Sequence, residues 1–238
     1  MIPVTSIDRL DWDSIAHDLD AVGCAVVPGL FEPAECAQYA AGYASPQLFR
    51  SRVVMERHGF GRGEYQYFAY PLPDALAELR AGLYGPLAAI ANRWYGVLGI
   101  DTRFPALHAE FIARCHAAGQ LRPTPLMLQY REGDYNCLHQ DLYGEHVFPL
   151  QVAVLLSRPG EDFSGGEFVL TEQRPRMQSR VEVVALRQGD AVIFPVSLRP
   201  VSRMRGARGA YRVNLRHGVS RVRSGLRHTL GIIFHDAA

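Results

Sequence analysis

The segment CLHQDLYGEH (Cys137–His146) places two histidines, two acids and a cysteine within ten residues. It reads as a metal site, an acid/base pair or a polar turn after a strand, and its surroundings must decide which. His139 and Asp141 are two positions apart. On an extended strand such residues project from one face, so the pair could grip an ion from one side. A histidine and a carboxylate with a second histidine from elsewhere form a facial triad. That triad covers one face of Fe(II) and leaves positions open for substrate and oxygen.

The third ligand has to come from a distant segment, and His146, His217, His228 and His235 are the candidates downstream. His146 belongs to the same turn region and is poorly spaced to close on the same ion. His228 and His235 are seven apart on one apolar run, and so face opposite sides of it. His217 stands in NLRHGVSRVRSGLRHTLGIIF (residues 214–234), ten residues before Arg227. A turn at Ser224-Gly225 would set the two on adjacent hairpin strands that reach one cavity. Arg227 and Thr229 are again two apart, so a guanidinium and a hydroxyl can meet one carboxylate. The planar arginine fork suits that task.

Two textures flank these residues. Before about residue 120 the pattern is helical. DSIAHDLDAVG (13–23) ends on a glycine suited to a helix C-cap. EPAECAQYAAGY (32–43) and the long run at 73–99 are rich in Ala, Leu and Glu. PALHAEFIARCHAAG (105–119) has Pro105 near its start and Gly119 after its end. CAVVPGLF (24–31) reads as a short strand and turn, and RHGFGRGEYQYFAYPLP (57–73) as a loop running into a strand.

Beyond about residue 125, PLMLQYR, HVFPLQVAVLLS, GGEFVLTE, RVEVVAL, DAVIFP, YRVNLRHGVSRV and RHTLGIIFH are short apolar or alternating runs. Gly, Pro, Asp and Ser clusters separate them, as between strands. Seven such runs with no helix between them point to a sandwich, a barrel or a jelly roll. The reading is one domain over 1–238, mostly β, with a mainly helical part at 1–124 packed outside a β core at 125–238.

Composition sets bounds on partners and compartment. The chain has 238 residues, is 48% hydrophobic and carries a formal charge of +1, all 25 basic residues being arginine. Residues 171–227 hold thirteen arginines against Glu172, Glu182 and Asp190, densest in RPVSRMRGARGAYR (199–212). A nucleic acid or another polyanion is one partner for this stretch; a solvated arginine-rich surface is the favoured reading. The four cysteines have no CxxC spacing, which argues against a structural zinc or a disulfide framework. The acidic start lacks the apolar stretch of a signal peptide, and no run is long enough for a membrane span. A cytoplasmic protein with no membrane partner is expected.

Taken together, His139-x-Asp141, SGGEFVL (164–170), LRQGDAVIFP (186–195) and His217-x9-Arg227 resemble the iron(II)- and 2-oxoglutarate-dependent dioxygenases. YREGDYNCLHQD (130–141) is similar to the stretch that precedes the iron motif in prolyl-hydroxylase-like members. The resemblance covers roughly residues 125–235. It implies a double-stranded β-helix, or jelly roll, with His139, Asp141 and His217 on Fe(II). Arg227 would anchor 2-oxoglutarate, helped by Thr229 and Tyr130. O2 would be consumed, with succinate and CO2 as co-products of hydroxylation or demethylation. A peptide or protein side chain is the substrate the prolyl-hydroxylase pattern favours by analogy; a small molecule or a nucleobase stays open. RVNLR (212–216) superficially resembles a signature of AlkB-like nucleic-acid dealkylases, but that signature follows the distal histidine, and here it precedes His217. The alternative is a non-catalytic β-sandwich module binding anionic ligands through its arginines. The intact set of His139, Asp141, His217 and Arg227 favours the enzyme. Cys137 is expected as a buried inert thiol, and EYQYFAY (64–70) as core.

Overall fold

The strand LQVAVL (Leu150–Leu155) is apolar or buried at every position, the pattern of a strand covered on both faces. It sits inside a structure described for residues 7, 9–142, 144–202 and 209–238 of a computed structural model. Along the described chain come α1 (Trp12–Ala21), β1 (Ala25–Val27), α2 (Pro33–Gly42), β2 (Phe49–Val54), β3 (Gly61–Arg62), β4 (Glu64–Phe68), α3 (Asp74–Val97) and α4 (His108–Ala117). The rest is β: β5 (Leu126–Arg131), β6 (Tyr135–His139), β7 (Leu150–Leu155), β8 (Phe163–Gly165), β9 (Phe168–Gln173), β10 (Arg180–Val184), β11 (Ala191–Pro195), β12 (Leu198–Ser202), β13 (Ala210–Val219) and β14 (Val222–Ile232).

Local chemistry sets the helix ends. Asp11 accepts a hydrogen bond from the Ser14 amide ahead of α1. Glu32 and Glu35 form a reciprocal capping box around Pro33, which opens α2. The last predicted helix is shorter than its sequence pattern: it begins at His108, so Pro105 lies ahead of it and outside its first turn.

The strands form two sheets. The larger runs β1-β11-β7-β14-β5-β4-β2, with β8 paired to β14; the smaller runs β10-β9-β13-β6-β3, with β12 paired to β13. Ala153 and Val192 of the larger sheet pack against Phe168, Leu170 and Val184 of the smaller one. The opposite face of the larger sheet, with Val152, Val154, Ile193, Leu230 and Ile232, packs on Leu19, Leu76, Leu83, Trp94 and other helix residues. This is the double-stranded β-helix, with helices outside the larger sheet. Three strands of that sheet, β1, β2 and β4, come from before residue 125, so the mainly helical part also completes the jelly roll.

One expectation fails here. His217 and Arg227 are not on a hairpin turning at Ser224-Gly225. The chain turns at Ser220-Arg221, and β13 and β14 enter different sheets. Gly225 lies inside β14 at φ +82°, where an added Cβ would sit 2.1 Å from the Asp162 carbonyl oxygen. The glycine serves the pairing of β14 with β8, a close approach rather than a turn. No described helix is long and apolar enough to cross a membrane.

Candidate metal centre

The connection at Ser220-Arg221 puts His217 and Arg227 on facing sheets, and both line one cavity of about 340 Å3 between them. His217 is set by the period-2 pattern of β13. Val213, Leu215 and His217 turn inward, while Arg212, Asn214 and Arg216 turn outward. His217 pairs across the sheet with His139, where the described β6–β13 register ends toward the cavity.

Asp141 does not share a strand with His139. It lies two residues beyond, after β6 has ended. The chain leaves the sheet at Gln140, whose side-chain amide donates to the Leu215 carbonyl at 2.7 Å, and Asp141 then turns into the cavity. The expected pair is therefore formed by a departing chain, and not by strand alternation.

One donor atom from each of His139, Asp141 and His217 lies within 4.8 Å of the others. His139 Nε2 is 3.4 Å from one Asp141 oxygen, and His217 Nε2 is 3.3 Å from the other. His139 Nδ1 donates to the Cys137 carbonyl at 2.8 Å, which in the neutral ring leaves the Nε2 lone pair for the centre. Gln151 donates to Asp141 at 2.8 Å. Phe194 and Phe168 flank the His217 ring, at 4.7 and 6.0 Å between centroids.

The electrostatics match the donor set. Burial opposes ionisation of Asp141, but hydrogen bonds from His139 and His217, and then their charge, outweigh it and hold the carboxyl well below its usual range. Burial lowers the His217 pKa and outweighs the pull of Asp141. For His139, burial is outweighed by Asp141, and the pKa rises. Two imidazoles and a carboxylate at ligand spacing fit a divalent cation of the first transition row.

The described structure buries three arginines almost completely: Arg80, Arg199 and Arg227. Arg80 pairs with Asp236, and Arg199 with Glu172. Among the described residues Arg227 has no carboxylate within ion-pair distance. It donates to Thr229 Oγ1 at 2.5 Å, and its Nε has no partner. The Tyr130 ring lies 5.6 Å from the guanidinium carbon, and the Tyr130 hydroxyl also lacks a partner. Burial drives the Arg227 pKa down to about 10, so the group is still charged at neutral pH. A buried cation without an anion is costly, and a ligand carboxylate between Arg227, Thr229 and Tyr130 would satisfy all three. The residues fit 2-oxoglutarate on that ground.

The Gly165-Gly166 pair explains its motif. Both residues have left-handed φ, +70° and +64°. A Cβ on Gly166 would sit 2.9 Å from Arg227 Cδ. Gly166→Ala is expected to weaken 2-oxoglutarate binding several-fold and to cost about 1–2 kcal/mol of stability from backbone strain. Titration of the cosubstrate checks this; an unchanged Kd would mean that Arg227 does not need the space.

Some residues depart from expectation. Cys137 is exposed and not buried. Tyr65 and Tyr67, within the stretch expected to be core, line the cavity with their rings edge to face at 5.3 Å. Phe68 alone of that strand is fully buried in the core. His228 is held by Gln129, His235 accepts from the Phe148 amide, and His146 meets Gln120 through its backbone. None of the three lines the cavity. Gln151 was not foreseen, although a lone polar residue inside the apolar run 146–157 is the kind of signal that marks such a partner.

Residues 63–237 match the family model Oxygenase-NA, described as an oxygenase catalysing oxidative methylation of damaged DNA. The chain is 49% identical over 171 residues to uncharacterised proteins of two Mycobacterium tuberculosis strains, covering 72% of this chain and 72% of each. Among solved structures it is similar to a 2OG-Fe(II) oxygenase family protein of Burkholderia pseudomallei (TM-score 0.55, 19% identity, 97% of this chain and 94% of that one). It is also similar to a Pseudomonas putida prolyl-4-hydroxylase (TM-score 0.52, 14% identity, 95% and 99%). At such identities the likeness concerns the fold.

Proposed function

The chain belongs to the Oxygenase-NA family and has the fold of the oxygenases that use iron(II), 2-oxoglutarate and O2; from that premise we propose that His139, Asp141 and His217 hold the iron, that Arg227 with Thr229 and Tyr130 holds 2-oxoglutarate, and that the substrate is a base in nucleic acid. The observation that carries the assignment is the buried, anion-free Arg227 in the same cavity as three converging metal donors.

When bound, the iron with its cosubstrate and O2 supplies the oxidation: a substrate C–H bond becomes C–OH, and 2-oxoglutarate leaves as succinate and CO2. The chain supplies geometry and exclusion of water. The Cys137 carbonyl fixes the orientation of His139. Gln151 fixes one oxygen of Asp141, and the two phenylalanines hold the His217 ring. Arg227 and Thr229 orient the distal carboxylate, and Tyr130, kept protonated by burial, adds a donor. Tyr65, Tyr67, Leu126 and Leu128 give the rest of the cavity an apolar wall.

Two features support a nucleobase. The family description names damaged DNA, and aromatic walls suit the face of a planar base extruded from its stack. Phe60 lines the mouth while 48% exposed, and stacks on His58. A peptide substrate has in its favour the prolyl-hydroxylase-like stretch at 130–141 and a fold shared with a prolyl hydroxylase.

The first test is spectroscopic. Fe(II) and 2-oxoglutarate added without oxygen should give a visible charge-transfer band that neither gives alone. Absence of the band at saturating cosubstrate would overturn the assignment. With the band in hand, succinate release should be stimulated by methylated oligonucleotides and not by proline-containing peptides.

A further inference from the structure

A second cavity, of about 550 Å3, lies on the outer face of the smaller sheet. It shares Leu138 and Gln140 with the metal cavity. The shared wall follows from the topology. β6 is the last long strand on this side, because β3 pairs only with Tyr135 and Asn136. The Leu138–His139 end of β6 is therefore an open edge, with His139 facing the cavity and Leu138 43% exposed at the rim.

The floor of this trough is polar and acid-free. Asn214 and Arg216 come from β13, and Thr171 lies beside Arg216 on β9. Arg212 extends the same row of β13. Glu172, the acid of β9, points to the opposite face and is buried against Arg199. Among the described residues, no ion pair involves Arg212 or Arg216, and no hydrogen bond occupies the side chains of Asn214, Thr171 or Arg216. The trough thus offers one or two uncommitted cations beside neutral donors, next to the mouth of the metal cavity.

We propose that this trough binds the sugar–phosphate backbone flanking the reacting nucleotide, with Arg216 on a phosphate. The proposal rests on the nucleic-acid reading above and adds the track that such a substrate would follow. An arginine fork matches phosphate oxygens in pairs, while Asn and Thr side chains contact phosphate and sugar without reading sequence. The occupant is a single strand: its backbone can cross the rim at Leu138 while one base turns inward past Phe60. Arg203, Arg205 and Arg208, in the densest arginine stretch of the sequence, lie outside the described residues.

The experiment uses the full chain and a short fluorescein-labelled single-stranded oligodeoxynucleotide of mixed sequence, read by anisotropy across a salt series. Arg216→Gln should weaken binding several-fold and flatten the plot of log affinity against log salt by about one unit. Arg216→Glu should weaken it at least tenfold. Arg103→Glu, on the far loop before α4, should bind as wild type. All three variants should give the unaltered band with Fe(II) and 2-oxoglutarate, which excludes misfolding. If wild type binds the oligonucleotide and Arg216→Glu binds equally well, the trough is not the track, while the nucleic-acid reading survives. If wild type binds no oligonucleotide at low salt, both are overturned. Displacement of the probe by poly-glutamate at equal charge concentration would show a general anion surface and also overturn the proposal.

Discussion

His217→Ala removes the visible band formed with Fe(II) and 2-oxoglutarate and lowers succinate release to background. Mutating groups that merely orient a ligand costs roughly 10–100-fold, so losing a direct ligand should cost more than that. The ring faces Asp141 at 3.3 Å and has no other described polar contact, its Nδ1 being buried without a partner. Its removal therefore deletes the proposed metal donor without breaking a second described hydrogen-bond network. Far-UV circular dichroism should be unchanged, and iron binding in an anaerobic titration should fall with the band. His228→Gln is the control: this histidine lies outside the cavity, bonded to Gln129, and its variant should keep the band. A His217→Ala protein with wild-type iron affinity would refute the triad.

Arg227→Met separates a ligand-binding arginine from a structural one. In wild type the buried guanidinium lacks an anion among the described residues, and burial has already lowered its pKa to about 10. A base depressed in the folded state binds fewer protons there than in the unfolded chain. Below pH 10 its charge therefore costs stability, and that cost fades as pH climbs from the folded toward the unfolded pKa. Methionine fills similar volume without charge and loses one hydrogen bond, that to Thr229. Without cosubstrate, Arg227→Met should melt no lower than wild type. Its affinity for 2-oxoglutarate should drop roughly 100-fold or more, as when one partner of a buried charge pair is deleted. At 100 times its Kd, 2-oxoglutarate should stabilise wild type by about 2.7 kcal/mol and the variant hardly at all. Thermal melts with and without the cosubstrate read both effects. A variant that unfolds several degrees earlier yet binds 2-oxoglutarate normally would make Arg227 a structural residue.

The residue types of the proposed site are legible in the sequence alone. A His-x-Asp pair, a distal histidine and an arginine ten residues later, read together with SGGEFVL and LRQGDAVIFP, mark a candidate donor set and anion partner. The sequence also determined the texture of the two halves, since periods of 3.6 and 2 are local properties of the chain. Arg227 and Thr229 do share a face as their spacing predicts, because both lie within one continuous strand.

Tertiary structure decided how the residues meet. Asp141 reaches His139 only because β6 stops and Gln140 bonds across to Leu215; spacing along a strand could not reveal where the strand ends. His217 and Arg227 line one cavity from two sheets, because the short link at Ser220-Arg221 changes sheet where a hairpin was expected. Which sheet a strand joins depends on partners far away in sequence. Gln151, Phe168 and Phe194 became visible at the site for the same reason. Arg227 shows the division most plainly. Its type could be read from the sequence, but that, among the described residues, it alone of three buried arginines lacks a carboxylate is a fact about neighbours, which only the folded chain supplies.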